Sequence, residues 1–317
     1  MKRGARLIAI AVVCALAGAG HAAAESAGVR LVVDNDFFNF WQSPDQRPDF
    51  GYTHGTELIW EGARAPRGLS RLAPAWLAGT DSDDGPARVQ IRLSQAIYTP
   101  WRLPPDRPYG GWLGVGVGIH RETATARREA LLNIGVTGPP SLAATMQRYI
   151  HHRFGFGVPP NWSGQIPYEP GIAIEAAAAW QSFTRGSDDG LMLHGGPQWR
   201  ARLGTYAVDL RFGLETSAGI HPPVPWGATR RTIGAGSLYV LAAARLDIIA
   251  RDELLDGTLF RHSAGVSATP LVPEIETGIG VRLQRARFEW HVTRRAKEYR
   301  IQPVAHTYSS LIFTLER

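Results

Sequence analysis

Apolar and polar residues alternate with a period of two along much of this chain. From Thr205 to Gly219, Tyr206, Val208, Leu210, Phe212 and Leu214 share one face, and Asp209, Arg211, Gly213 and Glu215 share the other. In the 88–97 segment Val89, Ile91 and Leu93 alternate with Arg88, Gln90, Arg92 and Ser94. Ile275, Ile279, Val281 and Leu283 oppose Glu274, Glu276, Gly280 and Arg282, and Phe288, Trp290 and Val292 oppose Arg287, Glu289 and His291. Strict alternation is the signature of β-strands with unlike faces. The template predicts about twelve strands, over 29–36, 53–61, 88–98, 111–121, 127–137, 171–184, 189–203, 205–219, 236–250, 271–284, 286–294 and 305–315. Period alone does not say which face is buried, because an outer-membrane barrel turns its apolar face to lipid and its polar face to the lumen. Many of these segments reach the roughly 9–11 residues that a tilted membrane strand needs, longer than the usual soluble strand. The fold class expected is therefore all-β, a transmembrane antiparallel barrel with short helical pieces in its loops.

The N-terminus adds an export signal. Lys2, Arg3 and Arg6 precede the short apolar run Leu7–Ala17, and Ala22-Ala23-Ala24 forms a small-residue cleavage pattern before Glu25. The expected division is a signal peptide over 1–24 and one barrel domain over 25–317, exported to the cell outer membrane. Cys14, the single cysteine, lies inside the leader, so the mature chain has no thiol chemistry. Removing the leader's three basic residues leaves 31 Lys+Arg against 28 Asp+Glu, nearly all of the basic ones arginine. That weak positive bias suits an anionic lipid surface, and no basic run is dense enough for a nucleic-acid protein. Ten Trp, nine Tyr and 35 Gly fit a β-rich chain with aromatic girdles. The last strand carries Phe313 four residues before the end, where such barrels usually finish on an aromatic. The connections over 62–87 and 220–235 are long for periplasmic turns.

With both termini in the periplasm, the odd-numbered connections are extracellular, and polar clusters gather on the first three of these. They are Asp34-Asn35-Asp36-Phe37-Phe38 with Tyr52-Thr53-His54-Gly55, then Asp106-Arg107-Pro108-Tyr109-Gly110-Gly111-Trp112. The third holds Gly135 to Pro139, Gln147-x-x-x-His151-His152, Asn161-Trp162-x-x-Gln165 and Glu169-Pro170. Each has a plain reading too: Asn and Asp at strand ends form turns, and loop histidines are usually solvated. With Arg251-Asp252-x-x-Leu255-Asp256-Gly257 and Gln302-x-x-x-His306-x-Tyr308, this ordered set resembles the lipid A 3′-O-deacylase family of outer-membrane enzymes, over nearly the whole mature chain.

The resemblance implies a twelve-stranded barrel and calcium-dependent hydrolysis of the ester holding the 3′-linked acyl chain of lipid A, with lipopolysaccharide of the outer leaflet as partner. His151 matches the family's catalytic histidine, Asn35 and Asp36 its Asn-Asp pair, Thr53 its threonine, and Arg107 a basic residue near the second loop. The family commonly has alanine at Gly110 and asparagine at His54. Chemistry is consistent with that set. His151 is the natural base to activate water near neutral pH, and Ca2+ takes oxygen ligands such as Asp36, Asn35 and groups around Thr53. Gln147, one helical turn before His151, is placed to orient the imidazole or head group, and Arg107 to grip a phosphate or sugar. Three rival readings are weighed: a phospholipase using Ser141 or Ser163 as nucleophile, a non-enzymatic porin or adhesin, and a soluble periplasmic β-protein.

Overall fold

The computed structural model describes residues 28–42, 50–66, 75–78, 85–101, 105–155, 162–187, 190–224 and 236–315. The expected leader over 1–24 lies outside these residues. The strands are β1 (Gly28–Asn35), β2 (Gly51–Arg64), β3 (Arg88–Thr99), β4 (Gly110–Glu122), β5 (Ala126–Thr137), β6 (Pro170–Trp180), β7 (Phe183–Gly186), β8 (Leu191–Gly204), β9 (Ala207–Ile220), β10 (Ser237–Asp252), β11 (Leu271–Leu283), β12 (Ala286–Arg295) and β13 (His306–Leu315). Neighbours in sequence pair antiparallel, β1 pairs with β13, and β8 pairs with both β6 and β7. The segments β6 and β7 are thus one stave interrupted at Gln181–Ser182, and the sheet closes into a twelve-stranded barrel. Closure leaves no open sheet edge, as a wall in hydrocarbon requires. All twelve expected strands are present within a few residues of their expected limits. Among the described residues no helix is long and apolar enough to cross a membrane; here the strands cross.

The alternation resolves in the inverted sense. Ile134, Ile174, Leu214, Leu238, Ile275 and Leu283 are exposed on the outside. Arg92, Glu129, Glu175, Arg211, Arg245, Glu274 and Glu276 line a central cavity of about 1390 Å³. Inside, charges are matched: Arg92 meets Glu175 at 2.8 Å, Arg127 meets Glu61 at 2.7 Å, and Arg245 meets Glu276 at 3.1 Å. Pairing across the lumen matters because a half-buried charge without a counterion carries a desolvation cost of several kcal/mol.

Following the chain direction, β1, β3 and β5 run toward one end of the barrel and β2, β4 and β6 return. Gly28 and Leu315 lie at one end, and the described residues of the 36–50, 100–109, 138–169, 205–206, 253–270 and 296–305 connections lie at the other. The described parts of the two long connections tuck against the terminal end. In the helical turn Ala75–Ala78, Leu77 is fully buried and Trp76 packs on Trp199 at 5.8 Å. Pro223 accepts a hydrogen bond from the Ser217 hydroxyl.

Candidate functional site

Strand parity decides which side of the wall each candidate faces. Arg30, Val32 and Asp34 of β1 line the lumen, so Asn35 faces outward. In β2 Glu57, Ile59 and Glu61 face inward, and His54 and Thr56 outward. In β3 Arg88, Gln90 and Arg92 face inward, and Gln95 and Ile97 outward. A one-residue irregularity between Tyr52 and His54 lifts Thr53 out of the β2–β3 ladder. Bulges of this kind re-aim side chains at functional positions. Thr53 is buried and its hydroxyl donates to the Ile97 carbonyl at 3.3 Å.

Next to it, Asn35 and His54 stand opposite one another across β1 and β2, with Asn35 Nδ2 3.4 Å from His54 Nδ1. The other ring nitrogen, Nε2, lies 2.9 Å from the Thr56 hydroxyl. The Asn35 side-chain oxygen accepts from the Phe37 N–H at 2.8 Å, starting the tight turn Asp36–Phe38. That cap explains why the chain leaves the strand there, and it places Asp36 in a buried position. Beyond the turn the loop folds down the outer wall. Asn39 donates to the Thr307 carbonyl and accepts from Ser309, and the Trp290 indole donates to the Phe38 carbonyl at 3.2 Å. Phe40 and Trp41, both about half exposed, pack on Trp290 at 6.0 Å, forming an aromatic flap.

On the other flank lies helix α1 (Ala143–Phe154). It packs on the outside of β3 and β4, where Ala143 and Trp162 join Ile97 and Tyr109 in a buried apolar cluster. Gln95 donates to the Ser141 carbonyl at 2.7 Å, pinning the approach to the helix. Gly111 makes the approach possible: a Cβ there would lie 2.3 Å from Ala143 Cβ and 2.4 Å from Ser141 Oγ. The helix ends at Gly155, whose φ of 75° suits glycine and whose N–H closes on the His151 carbonyl at 2.9 Å. Gln147 and His151 are both buried, one turn apart, and the Trp162 indole donates to Gln147 Oε1 at 2.7 Å. His152 is exposed.

The structure therefore brings Asn35, Asp36, Thr53 and His54 together at the strand ends. It links them, through Ile97 and Trp162, to the helix that carries Gln147 and His151. The grip of Trp162 on Gln147 spans 15 positions and has no local sequence signal. Ser141 is fully buried and its hydroxyl is bound to the Gly138 carbonyl, which does not suit a nucleophile.

Arg107 is placed apart from this group, on the lumen side. Its guanidinium stacks on Tyr98, an inward residue, at 4.7 Å and on Tyr299 at 5.8 Å, and Nη2 donates to the Leu254 carbonyl at 2.8 Å. It belongs to a plug of loops that closes this end of the lumen. There Tyr299 donates to Asp106 at 2.9 Å, Glu169 accepts from the N–H groups of Leu259 and Phe260, and Thr137 donates to Glu253 at 2.8 Å. Burial pushes the Glu253 carboxyl up to about 7, with Glu169 nearby adding to the rise and the Thr137 hydroxyl opposing it. Arg251 donates to the Thr205 and Gly257 carbonyls, and His306 Nε2 holds the Tyr52 carbonyl at 3.0 Å. The motifs around Arg251 and His306 thus build the plug.

The oxygens of Asn35, Asp36 and Thr53 include one buried carboxylate, with the Thr53 backbone freed from its ladder by the bulge, and no sulfur. A hard cation such as Ca2+ fits that donor type. A separate group, Glu61, His120 and Glu122, lies at the terminal end, where Arg127 already bridges both carboxylates.

A closed barrel with a lipid-facing wall, and a group of polar residues on that wall beside an aromatic flap and a helix, define a membrane β-barrel protein with a candidate site on its outer face. The sequence profile of the outer membrane protein LpxR family matches residues 7–316, and the chain belongs to that family. LpxR from Salmonella typhimurium has the same fold, with a TM-score of 0.72 at 18% identity, covering 92% of this chain and 100% of that one. The β domain of the Bordetella autotransporter BrkA follows at a TM-score of 0.46 and 8% identity, covering 92% of this chain and 98% of that one. No curated protein matches the chain.

Proposed function

We propose that the chain is a lipid A 3′-O-deacylase, hydrolysing the ester that holds the 3′-linked acyl chain of lipopolysaccharide in the outer leaflet. The observation that most supports this reading is the placement of Asn35, His54 and the Gln147–His151 helix on the outer face of the wall. A lipid in the bilayer reaches that face laterally, without entering the plugged lumen. Membership of the LpxR family points the same way.

In the reaction, His151 takes a proton from a water whose oxygen attacks the acyl carbonyl carbon. The resulting tetrahedral intermediate collapses, the bond between the acyl carbon and the sugar oxygen breaks, and the imidazolium returns its proton to that leaving sugar oxygen. Gln147, its Oε1 fixed by the Trp162 indole, orients the imidazole or the head group from one helical turn away. Asn35, Asp36 and Thr53 would hold Ca2+, which supplies Lewis-acid polarisation of the ester carbonyl when bound. The aromatic flap of Phe40 and Trp41 suits the level of the lipid head groups, where amphipathic rings settle.

Mass spectrometry of lipid A from cells expressing the protein tests this directly. The expected result is loss of one 3′-linked acyl or acyloxyacyl group, absent with His151→Ala and restored with the unaltered chain. Unchanged lipid A in both cases, with the barrel folded in the outer membrane, rejects the activity.

A further inference from the structure

The cavity of the lumen holds a second feature, at the end that carries the chain termini, independent of the hydrolase reading. One lumen arginine shows what the Nε–Nη2 edge can hold: Arg211 places it on both oxygens of Asp247, at 2.5 and 2.7 Å. Arg282 also lines the cavity and is only 4% exposed. Its Nη1 donates to the Gln284 carbonyl at 3.2 Å, and the Nε and Nη2 atoms of its other edge are buried without a hydrogen-bond partner among the described residues. A guanidinium edge of that geometry matches two oxygens of one oxyanion, and leaving it unmet costs free energy.

Two more cations stand beside it. The register puts Arg282 opposite Arg287, Arg287 opposite Thr314, and Thr314 opposite Arg30, so successive staves carry them about 5 Å apart per strand. Arg30 and Arg287 also line the cavity, and Arg30 Nε is buried without a partner among the described residues. Arg287 Nη2 donates to Thr314 Oγ1 at 3.4 Å. Among the described residues the Glu289 carboxylate lies 3.5 Å from Arg287 Nε, and Glu289 also serves the Tyr239 hydroxyl at 2.8 Å and His291 at 3.7 Å. Gln284 and Arg285, both exposed, line the same stretch of cavity, so it reaches the surface there.

We propose that this corner of the lumen binds a phosphate-type oxyanion, held side-on by the Nε–Nη2 edge of Arg282, with Arg287 and Arg30 supplying flanking charge. A carboxylate would satisfy one edge, whereas three guanidinium groups around one corner match an anion of three or more oxygens and up to two charges. Free phosphate and the phosphate of a phospholipid head group share this chemistry.

The test uses the full mature chain refolded into a phosphate-free maltoside detergent and titrated with inorganic phosphate at constant low ionic strength, with chloride as control. Calorimetry and the thermal unfolding midpoint are the readouts. One phosphate per barrel and a raised midpoint are expected, weakened at least tenfold in Arg282→Gln and also in Arg282→Lys, which keeps charge but loses the edge. Arg30→Gln, on another strand, is expected to weaken binding several-fold and keeps the test decisive if position 282 tolerates no change. Native mass spectrometry of chain extracted from membranes separates the sources. A phospholipid retained by the unaltered chain and lost with Arg282→Gln assigns the site to a head group, and phosphate binding without retained lipid assigns it to the free ion. No phosphate-specific effect on the refolded chain, or binding equal in all variants, overturns the proposal.

Discussion

The two sides of one rim make an instructive contrast. On the outer face, Asn35 and His54 lie between an aromatic flap and the helix that carries Gln147 and His151, held among the described residues by Gln95 to Ser141 and Trp162 to Gln147. On the lumen face of the same wall, Arg107, Thr137, Glu169 and Glu253 interlock loops and strand ends into a plug. Both sets are polar, wholly or partly buried, and gathered at the same end of the barrel, and the side of the wall divides them. The difference teaches that burial and polarity at a barrel's mouth do not identify chemistry. The side of the wall does, because only the outer side meets a lipid without a passage through the lumen.

The largest test of that contrast is His151→Ala. If the outer face does the chemistry, hydrolysis falls by about 10²–10⁴-fold, the usual contribution of a positioned acid–base group, while heat-modifiable gel mobility of the barrel stays unchanged. Retained hydrolysis moves the chemistry elsewhere. Gly111→Val comes next. The new Cβ meets Ala143 and Ser141 well inside contact distance, so α1 must lift from the wall by about 1 Å or more. A displacement of that size costs on the order of 10²-fold in rate when it misplaces a catalytic group. Lipid A mass spectra over time give the rate, and an unchanged rate shows that the seat of α1 does not set the site.

How much of this the sequence reveals follows the same division. The wall is legible residue by residue, because hydrocarbon outside and water inside impose a period of two on every stave, and Ile275 to Leu283 read as clearly as any. The candidate site residues are legible as a set of ordered motifs, and the barrel puts Asn35, Asp36 and Thr53 at one end. Which side of the wall a rim residue faces is less so. Arg107 leaves its strand by a loop, where parity no longer applies, and its contacts with Tyr98, Tyr299 and the Leu254 carbonyl settle its side. The roles of Trp162 and Gly111 are equally hidden, since each depends on a helix approaching a strand from elsewhere in the chain.

Arg107→Ala sharpens the comparison from the lumen side. Its stacking on two tyrosines and its hydrogen bond to Leu254 together stabilise the plug by about 3 kcal/mol. The expected outcome is a lower thermal midpoint and faster proteolysis of the 253–270 and 296–305 loops, with hydrolysis reduced far less than by His151→Ala. The reverse pattern, a folded and equally stable barrel with hydrolysis abolished, would place Arg107 in the substrate site.

The smallest effect concerns Glu253, and its sign follows from the raised carboxyl. A carboxyl held near 7 in the fold and near 4.5 in the unfolded chain keeps its proton longer when folded. Between those values the unfolded state binds fewer protons, so the stability of the plug is full below about 4.5 and declines as pH rises to about 7. Glu253→Gln keeps the hydrogen-bonding shape without the ionisation and should flatten that decline, a gain on the order of 1–2 kcal/mol at pH 8. Hydrogen exchange of the Glu253–Asp256 turn, followed across pH 4 to 8 in both chains, measures it. Because Glu253 faces the lumen, the same substitution should leave the pH profile of hydrolysis in place. A profile that moves with it would mean that the two sides of the rim are coupled through the wall.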